Sequence, residues 1–299
     1  MSSRSALQPA VAANLGEARR TINRVARSFS LAARLLPTDR RNDVELLYLV
    51  LRTLDDLVDL DIRAGGSTRE AAEARIAQIE RWTRGETATA GEMSRELLIL
   101  DDLASRNPTF PREAVHDFLE GMRSDLVGPN ITTSAAASHY CYQVAGTVGR
   151  MMASLLGLKP GREAAADQAA RSLGSAMQRT NILRDIDEDL ANGRIYLSHE
   201  LLRAHGIDPN AHSGPHSLRD ADRRGLLQQE IAKADAEYEL GLAGIGALAH
   251  GQVSIRAAAL LYREILRQIE RDGYGVRRPH RPVVGRFRKA LLLLRALLT

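Results

Sequence analysis

Cysteine is nearly missing from this chain: Cys141 is the single one among 299 residues. That excludes an intrachain disulfide and suits a reducing compartment, so a cytoplasmic location is expected. Aromatic residues make up 4%, and no binding motif accompanies the basic charge, which argues against nucleic acid as a partner. No stretch approaches the roughly 20 apolar residues of a membrane span. The longest apolar run, Ala290–Leu298, is short and is broken by Arg295. The N-terminus has arginines and serines but no apolar h-region, so no secretory signal is read. Strand signals are also scarce, with little period-2 alternation.

Alanine, leucine and arginine dominate instead, in long apolar-periodic segments that predict helices. Gly and Pro cut these segments at Leu36-Pro37, Ala64–Ser67, Arg84-Gly85, Asn107–Pro111, Gly128-Pro129 and Lys159–Gly161, and again at Gly206–Ser217 and Asp272–Pro282. About ten helices are expected between the breaks, in one all-α domain spanning residues 1–299. Asp39, Ser67 and Ser217 are candidate N-caps.

The net charge of +4 is unevenly spread. Arg271, Arg277, Arg278, Arg281, Arg286, Arg288, Lys289 and Arg295 face the single acid Asp272 across residues 271–295. A basic amphipathic tail from about residue 277 is either simply solvated or suited to an anionic membrane surface or substrate.

Two helical segments carry acids among leucines. In residues 48–59, about 100° per residue puts Tyr48, Arg52, Asp55 and Asp59 on one face. In residues 178–189, Gln178, Asn181, Asp185 and Asp189 share a face in the same way, and Arg184 precedes the first aspartate as Arg52 does in the other. Carboxylates four apart repel, unless a divalent cation reverses the sign. Mg²⁺ is usually held by one or two carboxylates together with phosphate oxygens. If the helices face each other, the four aspartates can hold a small Mg²⁺ cluster (Mn²⁺ is the other candidate) around a diphosphate, and the arginines can bind its remaining charge. The implied chemistry is departure of diphosphate from an allylic carbon in a dry apolar pocket.

These residues resemble the squalene/phytoene synthase family, whose members carry two D-x-x-x-D motifs on facing helices. The resemblance extends to Ala26–Ala32, Gly121-Met122-Arg123-Ser124-Asp125-Leu126, Tyr140–Gly149, Thr180–Asp185 with Glu188-Asp189, and Gly193-Arg194-Ile195-Tyr196-Leu197. It implies an isoprenoid-synthase-type helical bundle around a central cavity. It also implies head-to-head coupling of two geranylgeranyl or farnesyl diphosphates through a cyclopropylcarbinyl diphosphate, with NADPH needed only for squalene-type closure. By the same resemblance Asp55, Asp59, Asp185 and Asp189 would carry the metals. Arg52, Arg184, Tyr48 and Asn181 would hold diphosphate or complete the metal shell, with Gln178 beside them. Tyr140 would face the cavity, and Gly146 and Gly149 would admit a prenyl chain or a neighbouring helix.

Three places depart from the family pattern. Glu45 stands where a cavity-lining aromatic or apolar residue is usual, so it is expected either to meet a polar substrate or to pair with Arg41 or Arg52. The Arg-Tyr pair after the central motif is replaced by Gly128–Thr133, and Ser198 stands where proline is common. The acceptor is therefore open between a second prenyl diphosphate and another group such as an aromatic ring, or internal cyclisation. Small Ala32 and Ala33 after Phe29 lean towards a C20 chain.

Overall fold

Straight-chain residues and alanine lose little rotamer freedom in a helix, and the computed structural model is helical wherever these residues run uninterrupted. It describes residues 6–63, 68–86, 93–128, 130–209, 222–276 and 281–298, and the backbone alone of residues 27, 28 and 60–63. The N-terminal helices are α1 (Pro9–Ala12), α2 (Leu15–Val25), α3 (Arg27–Ala33), α4 (Thr38–Arg63) and α5 (Arg69–Thr83). Next come α6 (Arg95–Arg106), α7 (Arg112–Val127), α8 (Ser134–Cys141), α9 (Thr147–Leu156) and α10 (Glu163–Ala191). The chain closes with α11 (His199–Ala204), α12 (Arg223–Gly244), α13 (Gln252–Arg271) and α14 (Arg286–Leu298). No strand occurs among the described residues, where the sole bridge joins Leu158 and Leu248.

The helices outnumber the ten expected because some breaks need neither Gly nor Pro. Ala26, at φ −112° and ψ 58°, separates α2 from α3. A π-helical segment, Tyr142–Gly146, joins α8 to α9 without a turn. Asp39 lies in the first turn of α4 and not at its cap, where its charge still favours the helix N-terminus. Ser67 and Ser217 lie outside the described residues. Ser94, Thr133, Ser198 and Asp222 do accept the free N–H groups of α6, α8, α11 and α12. Ser198, where proline is common in the family, is thus a helix cap.

α4 and α10 run about 39 Å and 44 Å at 1.5 Å per residue and form the axis of the site. One apolar core gathers on α4 with α5, α6, α7 and α9, around Leu47, Leu54, Ile76 and Leu100. A second gathers on α8 and α10 to α13, around Leu183, Leu227, Tyr238 and Leu266. Arg106 ties α4 to α6 through Asp43 and Asp102 at 2.8 and 2.7 Å. Arg179 ties α10 to α12 through Glu230 and Glu237 at 2.5 and 3.0 Å. Losing one partner of such a buried pair strands a charge and costs about 3–5 kcal/mol.

Candidate active site

The two cores leave a cavity of about 460 Å³ between them, within the usual range for a small-molecule site. Its wall is largely apolar, from Phe29, Phe118, Met122, Val148, Met152 and Leu173, and its polar end is built from α4 and α10. Tyr48, Arg52 and Asp55 reach it from α4, and Gln178, Asn181 and Arg184 from α10. Asp59, Asp185 and Asp189 stand beside this polar end without lining the cavity itself.

Each aspartate pair is braced by arginine. Arg52 donates to Asp55 at 2.8 Å and also to Asp56. Arg184 forks onto Asp185 at 2.9 and 2.5 Å. Asp59 is held from another part of the chain, by two N–H groups of Arg194 at 3.2 Å each. The turn after α10 makes this possible: Gly193 adopts φ +71°, and the Arg194 backbone N–H returns to the Asp189 carbonyl at 2.8 Å. Arg194 also lowers the pKa of both Asp55 and Asp189, so its charge acts on both aspartate motifs. The two acidic helices therefore face each other across it.

The carboxylates remain incompletely compensated. Burial first, and then Asp59, pushes Asp55 up to about 6 against the pull of Arg52. Burial and Asp185 likewise push Asp189 up to about 6. The side-chain oxygen of Asn181 is buried with no hydrogen-bond partner, although its amide donates to Gln178 at 3.4 Å. An orphan oxygen beside under-neutralised carboxylates fits a hard divalent cation. Among the described residues the four aspartates do not bring three oxygens together within 4.8 Å. The group that does converge is Glu80, His116 and Glu120. It lies outside this cavity, and Arg123 neutralises Glu80 at 2.6 and 3.1 Å.

The squalene/phytoene synthase family model matches residues 22–288, which span both aspartate helices. The chain belongs to the squalene/phytoene synthase family. It is 40% identical to a phytoene synthase of Thermus thermophilus, over 91% of this chain and 88% of that one. A 15-cis-phytoene synthase of Synechococcus elongatus is 33% identical over 94% and 92% of the two chains. A dehydrosqualene synthase crystallised with ligand superposes with a TM-score of 0.79 at 26% identity, covering 96% of each chain. The fold of this chain is thus the isoprenoid-synthase all-α type.

Two residues of this family member take one of the two places the sequence allowed them, and a third lies elsewhere than expected. Glu45 takes the ion-paired one of its two expected places: it lines no part of the cavity, is 6% exposed and turns to α2, where Arg19 donates to it at 3.2 Å, with the expected Arg41 at 4.0 Å. Arg52 is not its partner. Ala33 is also absent from the cavity wall and is packed in the first core, so its size sets no pocket length. Gly146 serves helix packing. A Cβ there would meet the Arg171 carbonyl and Ser175 on α10, and one at Gly149 or Gly174 would strike the Ala170 or Ala145 carbonyl. Gly149 lines the cavity as well.

Other residues join the site without having been singled out. Tyr140 lines the cavity, as expected, and its hydroxyl donates to Asp125, 3.1 Å from each carboxylate oxygen. Burial raises Asp125 to about 7 despite that bond. Tyr196 stacks on Tyr140 at 5.3 Å. Arg281, read as part of the tail, lines the cavity and pairs with Asp185 at 2.9 Å. Asp125, Arg194 and Tyr196 stood inside quoted motifs, which was the available signal, whereas Arg281 gave none.

Proposed function

We propose that this prenyltransferase couples two geranylgeranyl diphosphates head to head, in the manner of a phytoene synthase. The observation that carries the reading is Arg194, whose charge acts on both facing aspartate motifs at the polar end of an apolar cavity. Asp55 and Asp59 from α4, with Asp185, Asp189 and Asn181 from α10, would hold Mg²⁺. Bound there, the metal supplies Lewis-acid neutralisation of a departing diphosphate.

The chain's own residues do the rest. Arg52, Arg184 and Arg281 line the cavity and bond the aspartates at its polar end, where they can take diphosphate oxygens. In the first half, one allylic C–O bond breaks with its electron pair leaving on diphosphate. The second substrate's double bond attacks the cation and a proton is lost, giving the cyclopropylcarbinyl diphosphate. In the second half that diphosphate leaves, the skeleton rearranges, and loss of another proton closes the hydrocarbon without NADPH. Phe29, Met122, Val148 and Met152 keep water from the cation. Asp125, bonded by Tyr140 and raised to about 7, can take a proton at the cavity wall.

Glu45 supports this acceptor. Its pairing with Arg19 removes the one residue that favoured a polar acceptor in the cavity. Incubation with geranylgeranyl diphosphate and Mg²⁺, without NADPH, is expected to give a C40 hydrocarbon. A cyclised single-chain product, or product only after adding an aromatic acceptor, would overturn the reading.

A further inference from the structure

The last turns of α10 carry aspartates on two sides. Asp185 and Asp189 share one face, whereas Asp187 between them lies about 160° away from each. There it meets Arg223, the first residue of α12. Arg223 forks onto the carboxylate, Nη1 donating to Oδ1 at 2.7 Å and Nη2 to Oδ2 at 2.8 Å. The third edge of the same guanidinium, Nε, donates to the Tyr274 carbonyl at 2.7 Å. One buried side chain thus joins α10, α12 and the turn after α13.

Two local preferences are overridden at this contact. A cation at the start of a helix opposes the helix dipole, yet α12 opens on Arg223 and Arg224 and has no acid in its first turn. Tyr274 has φ 61°, in the left-handed region that side chains avoid, and is the single non-glycine residue there among those described. Tertiary contacts explain both. The turn lays its carbonyl on Arg223, while α12 holds the tyrosine ring through Arg224 at 5.5 Å and its hydroxyl through Gln228 at 3.2 Å. Gly275 lets the turn close, since a Cβ there would lie 3.0 Å from Arg223 Nη2. Departures from local preference that the surrounding structure enforces cluster at functional sites.

We infer that Arg223 and Asp187 are positioning residues for the metal-binding face of α10. A two-pronged fork fixes the direction of a carboxylate as one bond cannot, so holding Asp187 fixes the rotation of α10 about its own axis. That rotation sets where Asp185 and Asp189 stand relative to Asp55 and Asp59 on α4. Arg194 completes the hold from the neighbouring turn, returning its backbone N–H to the Asp189 carbonyl and bonding Asp59. The inference rests on the reading that these four aspartates hold metal.

The test is binding of Mn²⁺ alone to the full chain, without substrate, with the free ion followed by electron paramagnetic resonance. Charge and position predict opposite signs for Arg223→Gln: removing a nearby cation tightens metal binding, whereas releasing α10 weakens it. Arg223→Gln is expected to raise the Mn²⁺ dissociation constant by about 10–100-fold, the scale of losing a partner that orients a ligand. Arg223→Lys keeps the charge without the fork. It is expected to weaken binding by about tenfold, and it carries the test if Arg223→Gln folds poorly. Asp187→Asn breaks the same fork, so adding it to Arg223→Gln should bring no comparable further loss. Glu45→Gln, whose lost ion pair lies away from the site, should bind Mn²⁺ as the parent does even where its melting temperature falls. Parent-like or tighter binding in both Arg223 variants overturns the inference, as does full multiplication of the two losses in the double variant or an equal loss in Glu45→Gln. In each of these cases loss of binding in Asp185→Asn would leave the metal site standing. Mn²⁺ binding that Asp185→Asn leaves intact would refute the metal site itself, and the inference with it.

Discussion

Arg194 donates both terminal N–H groups to one oxygen of Asp59, 135 residues away, at 3.2 Å. This bond joins the turn after α10 to α4, and so sets the two acidic helices opposite each other. Arg194→Ala is expected to leave the core packing intact, since no cavity opens in either core. Repulsion between the two motifs then rises, and diphosphate turnover should fall by about 10²–10³, the scale of losing a preorganised charge at a reacting group. Steady-state assay beside circular dichroism checks it, and unchanged turnover would remove Arg194 from the site.

Asp125 gives a pH signature at a higher pH than Asp55 and Asp189 of the metal helices. Its carboxyl rises from an ordinary value of 3.8 to about 7 on burial. The native state therefore binds a proton that the unfolded chain has released between roughly pH 4 and 7. Its contribution to stability is complete below the unfolded pKa and is lost as pH rises through about 7. Asp125→Asn, which keeps an acceptor for Tyr140, is expected to gain on the parent by on the order of 2–4 kcal/mol between pH 4 and pH 8. Thermal melts at the two pH values measure this, and a constant offset between the proteins would contradict it.

Glu45→Gln separates structure from chemistry. The carboxylate is buried and ion-paired with Arg19 and Arg41. Neutralising it leaves the cavity unchanged and weakens the join of α2 to α4, by about 1–3 kcal/mol for a hydrogen bond to a charged group. Denaturant melts should shift while the product stays the same; an altered product with unchanged stability would return Glu45 to the substrate.

The crossing of α10 with the π segment and α9 allows no side chain at Gly174. Gly174→Ala drives a methyl into the Ala145 backbone carbonyl, and overpacking of this kind costs about 1–3 kcal/mol. Because Ala145 also lines the cavity, turnover should fall together with the melting temperature. Full stability in the variant would show that the helices can slide apart.

The parts of this site that a sequence can display are those carried by one helix. Asp55 and Asp59, or Asn181, Asp185 and Asp189, lie on common faces because helical period fixes them, and the arginines beside them follow the same rule. Contacts made by chain folding have no such local rule. Glu45 stayed open between the cavity and an ion pair because its nearer partner, Arg19, lies 26 residues upstream on another helix. Ala33 follows Phe29 in sequence, yet it faces the core while Phe29 faces the cavity. Arg281 read as tail charge because nothing local indicates that the segment returns to Asp185.

The aspartates of α4 and α10 are expected to act as one metal-dependent unit. Diphosphate release from geranylgeranyl diphosphate, followed against Mg²⁺ concentration, tests it most directly in the parent, Asp55→Asn and Asp185→Asn. Release is expected to require Mg²⁺ and to fall by about 10³ or more in either variant, with the helical spectrum retained because neither substitution opens a cavity. Release that persists in either variant at low Mg²⁺, or in the parent after chelation, would contradict the account.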